Sequence, residues 1–186
     1  MNRFKSTTLT VFVALAMLGS ATAAQMKDPE VGGAAMYPAK NIVENALNSQ
    51  DHTTLVAAVK AAGLVDTLES AGPFTVFAPT NEAFAKLPAD TVDTLLKPEN
   101  KDQLVKVLTY HVVAGKVSSR ELAKMIKAGG GKAELKTVEG GTLTATAKGG
   151  KILLTDEKGG KAVVTIADVY QSNGVIHVVD SVLLPN

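Results

Sequence analysis

The chain has 186 residues, 46% apolar and 4% aromatic, with no Trp, which suits one globular domain whose core is built from Ala, Val, Leu and Ile. No Cys is present, so disulfides, thiolate metal sites, a Cys nucleophile and lipid attachment through Cys are excluded. The formal net charge of +1 is far from the basic excess of a nucleic-acid-binding chain.

Residues 1–24 read as a secretory signal peptide. Arg3 and Lys5 precede an apolar run from Leu9 to Leu18, and Ser20 to Ala24 supply small-residue cleavage positions. That run is shorter than the ~20 residues of a membrane span. Without the segment, 17 Lys and Arg stand against 18 Asp and Glu, and the remaining chain is near neutral. The expected location is therefore the periplasm or the medium. Residues 25–39, with Pro29, Gly32, Gly33 and Pro38, read as a flexible lead-in to a single domain over 40–186.

From Asn41 the spacing is helical. Asn41 and Glu44 form a capping box for a face of Ile42, Val43, Ala46 and Leu47. Leu55, Val56, Val59 and Ala62 repeat the pattern up to Gly63, and a further turn covers 64–68. Phe74 to Phe77 read as a strand ending at Pro79, after which Thr80 caps a helix carrying Phe84 and Leu87. Leu104, Val107, Leu108 and His111 lie on one helical stripe, and Ser118 with Glu121 caps a helix ending at Gly129. Glycine pairs and Asn173-Gly174 then separate apolar runs at 143–147, 152–155, 162–169 and 175–184, the pattern of antiparallel hairpins. Helices first and strands later predict an α+β fold rather than a doubly wound sheet. Both faces of the last run are apolar, so it should be a central strand covered on two sides.

The chemical inventory is thin. A hydrolase triad fails because His177 and Asp180 point to opposite strand faces, Ser181 lies roughly 13 Å along the strand from His177, and no G-x-S-x-G elbow occurs. His52, His111 and His177 lack any second His at ligand spacing, so no metal or other cofactor is expected. His111 and His177 sit inside apolar patterns and read as buried structural residues. The three Gly-Gly-Lys triplets lack phosphate-loop spacing and read as turns.

Three segments in order resemble the fasciclin (FAS1) domain family. They are Phe74-Thr75-Val76-Phe77-Ala78-Pro79-Thr80-Asn81-Glu82-Ala83-Phe84, then Tyr110-His111, then Asn173-Gly174-Val175-Ile176-His177-Val178-Val179-Asp180. The resemblance spans about residues 40–185 and implies a β-sheet wedge with helices packed along it. Its motif residues here are Phe77, Pro79, Thr80, Asn81, Phe84, Tyr110, His111, Asn173, Gly174, His177 and Asp180. It also implies adhesion or extracellular binding rather than catalysis. Animal members place an adhesive Asp-Ile pair ahead of the last block; the matching pair is Asp168-Val169, which implies a partner surface there. The expected function is thus a non-catalytic module that engages a protein or polysaccharide of the cell surface or envelope. The alternative is a carrier of a small apolar ligand or lipid, held in the seam between helices and sheet.

Overall fold

The computed structural model describes residues 28–186; the signal-peptide reading of residues 1–24 lies outside them. The chain is ordered earlier than the predicted domain start. Strands β1 (Glu30–Val31) and β2 (Ala34–Ala35) form a small hairpin within the expected flexible lead-in. Val31 and Met36 are buried, and Gly32 accepts a hydrogen bond from the Gln50 amide at 3.2 Å. Two apolar side chains in the core outweigh the local Gly and Pro signals.

Local capping fixes the helix starts. The Asn41 carboxamide accepts from the Glu44 amide at 2.8 Å while the Glu44 carboxylate accepts from the Asn41 amide at 2.9 Å, opening α1 (Ile42–Asn48). Leu47, expected on the buried face, is half exposed, and Asn45 is buried instead. Helix α2 (Thr53–Ala62) stops at Gly63, whose φ of 71° is left-handed. A short α3 (Val65–Glu69) leads to β3 (Phe74–Pro79), and Thr80 caps α4 (Asn81–Ala85). Helix α5 (Ala89–Leu96), absent from the sequence reading, packs with α6 (Lys101–Tyr110), and β4 (Val112–Ala114) follows. The Ser118–Glu121 capping box opens α7 (Ser119–Ala128).

Strands β5 (Lys132–Lys136), β6 (Thr142–Lys148), β7 (Lys151–Thr155), β8 (Lys161–Gln171) and β9 (Gly174–Val179) complete a seven-stranded sheet of order β4-β3-β9-β8-β7-β6-β5. The run from β5 to β9 is an antiparallel meander, as expected. Gly149 and Gly150, at φ 59° and 77°, form its two-residue turn between Lys148 and Lys151. The pairing of β3 with β9 is parallel over all six residues and joins the helical half to the strand half. A bridge between Val113 and Thr137 links β4 to the chain just past β5, so the sheet curls toward closure and shields both outer strands.

The last strand ends at Val179 rather than Leu184. Beyond it the Asp180 carboxylate, in place of a ladder carbonyl, accepts from the Val163 amide at 2.8 Å. Every residue of β9 is buried. Ile176 and Val178 face a core with Val76, Ala78, Ile42, Leu55 and Leu108. Val179 faces a second core with Phe77, Tyr110, Leu122, Leu143, Leu154 and Leu183. The α+β fold is thus a helical layer on one side of β3–β9 and a curled sheet enclosing the other.

Candidate functional site

The motif residues hold these two cores together. His177 is fully buried and stacks on Phe77 with ring centroids 5.6 Å apart. Its Nε2 donates to the Val117 carbonyl at 2.9 Å, and its Nδ1 accepts from the Asp168 amide at 3.2 Å. Those two partners fix one neutral tautomer, and burial lowers the pKa below the usual histidine value, outweighing the Val117 carbonyl, which raises it. His111 is fixed the opposite way round. Its Nδ1 donates to the Val107 carbonyl at 2.8 Å, and its Nε2 accepts from the Leu183 amide at 3.0 Å, so it ties the C-terminal segment to α6. Burial lowers its pKa too.

Tyr110 donates to the Thr142 carbonyl at 2.8 Å and accepts from the Glu157 amide at 3.2 Å. Burial raises its phenol to about 12. Asn173 is buried; it accepts from the Ile42 amide at 3.0 Å and donates to the Leu68 carbonyl at 2.6 Å and the Ser70 carbonyl at 3.0 Å. Next to it, Gly174 lies so close to the Phe74 carbonyl that a Cβ would collide. Asn81 accepts from the Thr54 amide at 3.0 Å and donates to the Gln50 carbonyl at 2.8 Å, which anchors the start of α2. Pro79 and Phe84 are buried, and the Thr80 hydroxyl accepts from the Ala83 amide at 3.2 Å. Burial alone would raise the Asp180 carboxyl. The Val163 amide, the Ser181 hydroxyl and the Lys86 ammonium outweigh it and hold its pKa below the usual value. Asp180 does not touch His177, so these residues form no triad.

Asp168 and Val169, the predicted contact pair, are placed differently from the expectation. Val169 is fully buried in the helix-side core and cannot be a contact side chain. Asp168 sits in an irregular stretch of β8, where the register with β9 shifts twice between Val164 and Val169. Its φ of 60° is left-handed, a region that Asp tolerates better than most residues. Its half-buried carboxylate accepts from the Ser119 amide at 2.7 Å and from the Ser119 hydroxyl, so it pins the first turn of α7 to the sheet. An anion there also complements the helix dipole. The bulge turned the alternation over, which sent Val169 inward and Asp168 to the helix. The exposed part of this corner is Tyr170, whose ring lies 4.9 Å from the Lys116 ammonium.

One feature had no periodic signal in the sequence. A cavity of about 70 Å³ lies between the helical layer and the β3 and β9 strands, with Val31 and Met36 among its lining residues. Its surface is predominantly apolar, and the polar residues along it are Ser49, His52, Lys60, Thr67, Thr109 and His111. The Ser49 hydroxyl and His52 Nδ1 are 2.8 Å apart, while the buried Nε2 has no hydrogen-bond partner among the described residues. Burial lowers the His52 pKa. Among the described residues no three His, Asp or Glu side chains converge as metal ligands, and no helix is long and apolar enough to cross a membrane.

A helical layer over a curled seven-stranded sheet, locked by two oppositely oriented buried histidines, defines the α+β module that the three motif segments imply. The chain belongs to the fasciclin domain family, whose model matches residues 50–185. It is 53% identical over 159 residues to Protein sll1483 of Synechocystis sp., covering 86% of this chain and 81% of that protein. It is 39% identical over 145 residues to the immunogenic protein MPB70 of Mycobacterium bovis, covering 75% of this chain and 66% of that protein. The solved FAS1 domain pair of the insect cell adhesion molecule fasciclin I shares the fold, with a TM-score of 0.71 at 20% identity over 79% of this chain and 51% of that one.

Proposed function

We propose that the protein is exported and acts as a non-catalytic module that engages a macromolecule of the cell envelope. The observation that carries this reading is the full engagement of the motif side chains with the scaffold. His111, His177, Asp168, Asn173 and Asn81 all bond to backbone groups, which leaves none of them poised over an open site. Family membership supports it: a relative in Mycobacterium bovis, 32% identical over 187 residues, is named a cell surface glycolipoprotein. The N-terminal signal pattern supports export.

The cavity favours a second reading, carriage of an apolar ligand. At about 70 Å³ it is smaller than the ~150 Å³ void that admits benzene, so a lipid would enter only if the lining side chains moved apart. Size therefore favours the first reading. The test is a pull-down from envelope extracts with the folded chain, followed by identification of what is retained. Saturable retention of a protein or polysaccharide supports the binding module. No retention, together with a stoichiometric apolar molecule on the purified protein, would transfer the function to the cavity.

A further inference from the structure

The strand register places a distinctive set of side chains on the outer face of β5–β8. Helix α7 packs Leu122 and Ile126 against Ala133, Leu135 and Leu143, all on the inner face. The outer residues are exposed or half-buried. Across the strands, Lys132, Thr146, Leu153 and Val163 form one row, and Glu134, Thr144, Thr155 and Lys161 the next. Lys136 faces Thr142 at one end, and Lys148 faces Lys151 at the other. With strands ~4.8 Å apart and a rise of ~3.3 Å per residue, the face measures about 20 Å by about 14 Å. Five lysines ring a centre of threonine hydroxyls and half-covered aliphatic side chains.

Charge is segregated in the molecule. Residues 28–102 hold five Lys against eleven Asp and Glu, whereas residues 103–186 hold eleven Lys and Arg against seven. Among the described residues the only acid at an outer strand position is Glu134, in a solvent-exposed pair with Lys132 at 3.7 Å, and at the Lys136 end the Glu157 carboxylate accepts from the Thr142 amide at 2.9 Å. Lys136, Lys148, Lys151 and Lys161 have no carboxylate at ion-pair distance among the described residues. Lys148 and Lys151 stand directly opposite each other, an arrangement that costs stability. A bound anion would relieve that repulsion, and because these two residues are cross-strand partners their charges lie within about one Debye length, ~8 Å at physiological salt, so their fields add.

The spacing selects among polyanions. Nucleic acid presents one charge per ~3.4 Å of strand and is held by stacking on aromatic rings when single-stranded. This face has sparse cations and no aromatic residue among its outer positions. Separated charges with hydroxyl acceptors and aliphatic patches between them match a chain of sugars in which some units carry a carboxylate. We propose that the outer face of β5–β8 binds an acidic, carboxylate-bearing polysaccharide. The inference rests on the envelope-binding reading and names its partner class and its surface.

Affinity electrophoresis of the folded chain through gels containing polygalacturonate, neutral dextran or single-stranded DNA tests it. Polygalacturonate should retard the protein at low salt and dextran should not. The double variant Lys148→Gln/Lys151→Gln should weaken retention about ten-fold, whereas Lys97→Gln/Lys101→Gln, with the same change in net charge, should leave it within about two-fold. Thr144→Val/Thr155→Val keeps strand propensity and should weaken retention without altering its salt dependence. No retardation by polygalacturonate, equal loss in the two lysine variants, or equal retention by DNA would each overturn the proposal. If envelope extracts still retain the wild type while polygalacturonate does not, this face is wrong and the binding reading stands. If neither retains it, both fail.

Discussion

Replacing His177 by Ala should destabilise the domain by about 3–4 kcal/mol. The imidazole satisfies the Val117 carbonyl and the Asp168 amide, and each orphaned buried group costs ~1–3 kcal/mol. Loss of the ring stacked on Phe77 leaves a cavity in a core where His177 has no exposure. His177→Phe separates these contributions, because it keeps the stack and removes both hydrogen bonds; it should cost about 2 kcal/mol. Acid sharpens the test. Burial lowers the folded-state pKa, so the unfolded chain binds the proton first and stability, complete above pH 6.5, is lost as pH falls below it. His177 contributes up to ~1.4 kcal/mol per pH unit to that slope. Urea unfolding between pH 5 and pH 7.5 measures both effects, with the dependence on denaturant expected to stay constant. A His177→Phe slope equal to that of the wild type would refute the lowered pKa, and a cost below about 1 kcal/mol for His177→Ala would refute the assigned hydrogen bonds.

Three further outcomes are expected. Asp168→Ala should cost about 2–3 kcal/mol in urea, by releasing α7 and placing Ala at a left-handed φ, and Asp168→Asn should cost less. Tyr110→Phe should cost about 1–2 kcal/mol by orphaning the Thr142 carbonyl and the Glu157 amide. Because burial raises the folded-state phenol to about 12, wild-type stability should fall as pH rises above ~10, and this loss should shrink in the variant. Intact-mass measurement of the protein from its native host should find a chain beginning at Ala24 or Gln25; a chain retaining Met1 would contradict export.

What could be seen in the sequence followed from the range of the interactions. The capping boxes at Asn41–Glu44 and Ser118–Glu121 are local, so four residues suffice to reveal them. Period-two burial exposed the two faces of β9 because both are apolar. The parallel pairing of β3 with β9 joins residues about 100 positions apart and leaves no local trace. Val31 and Met36 looked unstructured among Gly and Pro, and only the tertiary core explains their burial. The candidate site was legible in part. His111 and His177 could be read as buried, but their partners Val107, Leu183, Val117 and Asp168 came from the fold. The contact reading of Asp168 and Val169 came from the family resemblance alone, and the β-bulge that turns Val169 into the core shifts the side-chain phase without a fixed sequence mark. Asn45 bonds to Tyr37 and Gln171, and as a polar residue it gave no apolar signal of its burial.

The most direct test of the central claim is a binding isotherm for the folded wild-type chain on washed envelope material from its native host, measured by co-sedimentation at low and at high salt. Engagement of an envelope macromolecule predicts saturable retention that competes with unlabelled protein. Retention that is linear in protein concentration and uncompeted, or that is absent at both salts, would contradict it.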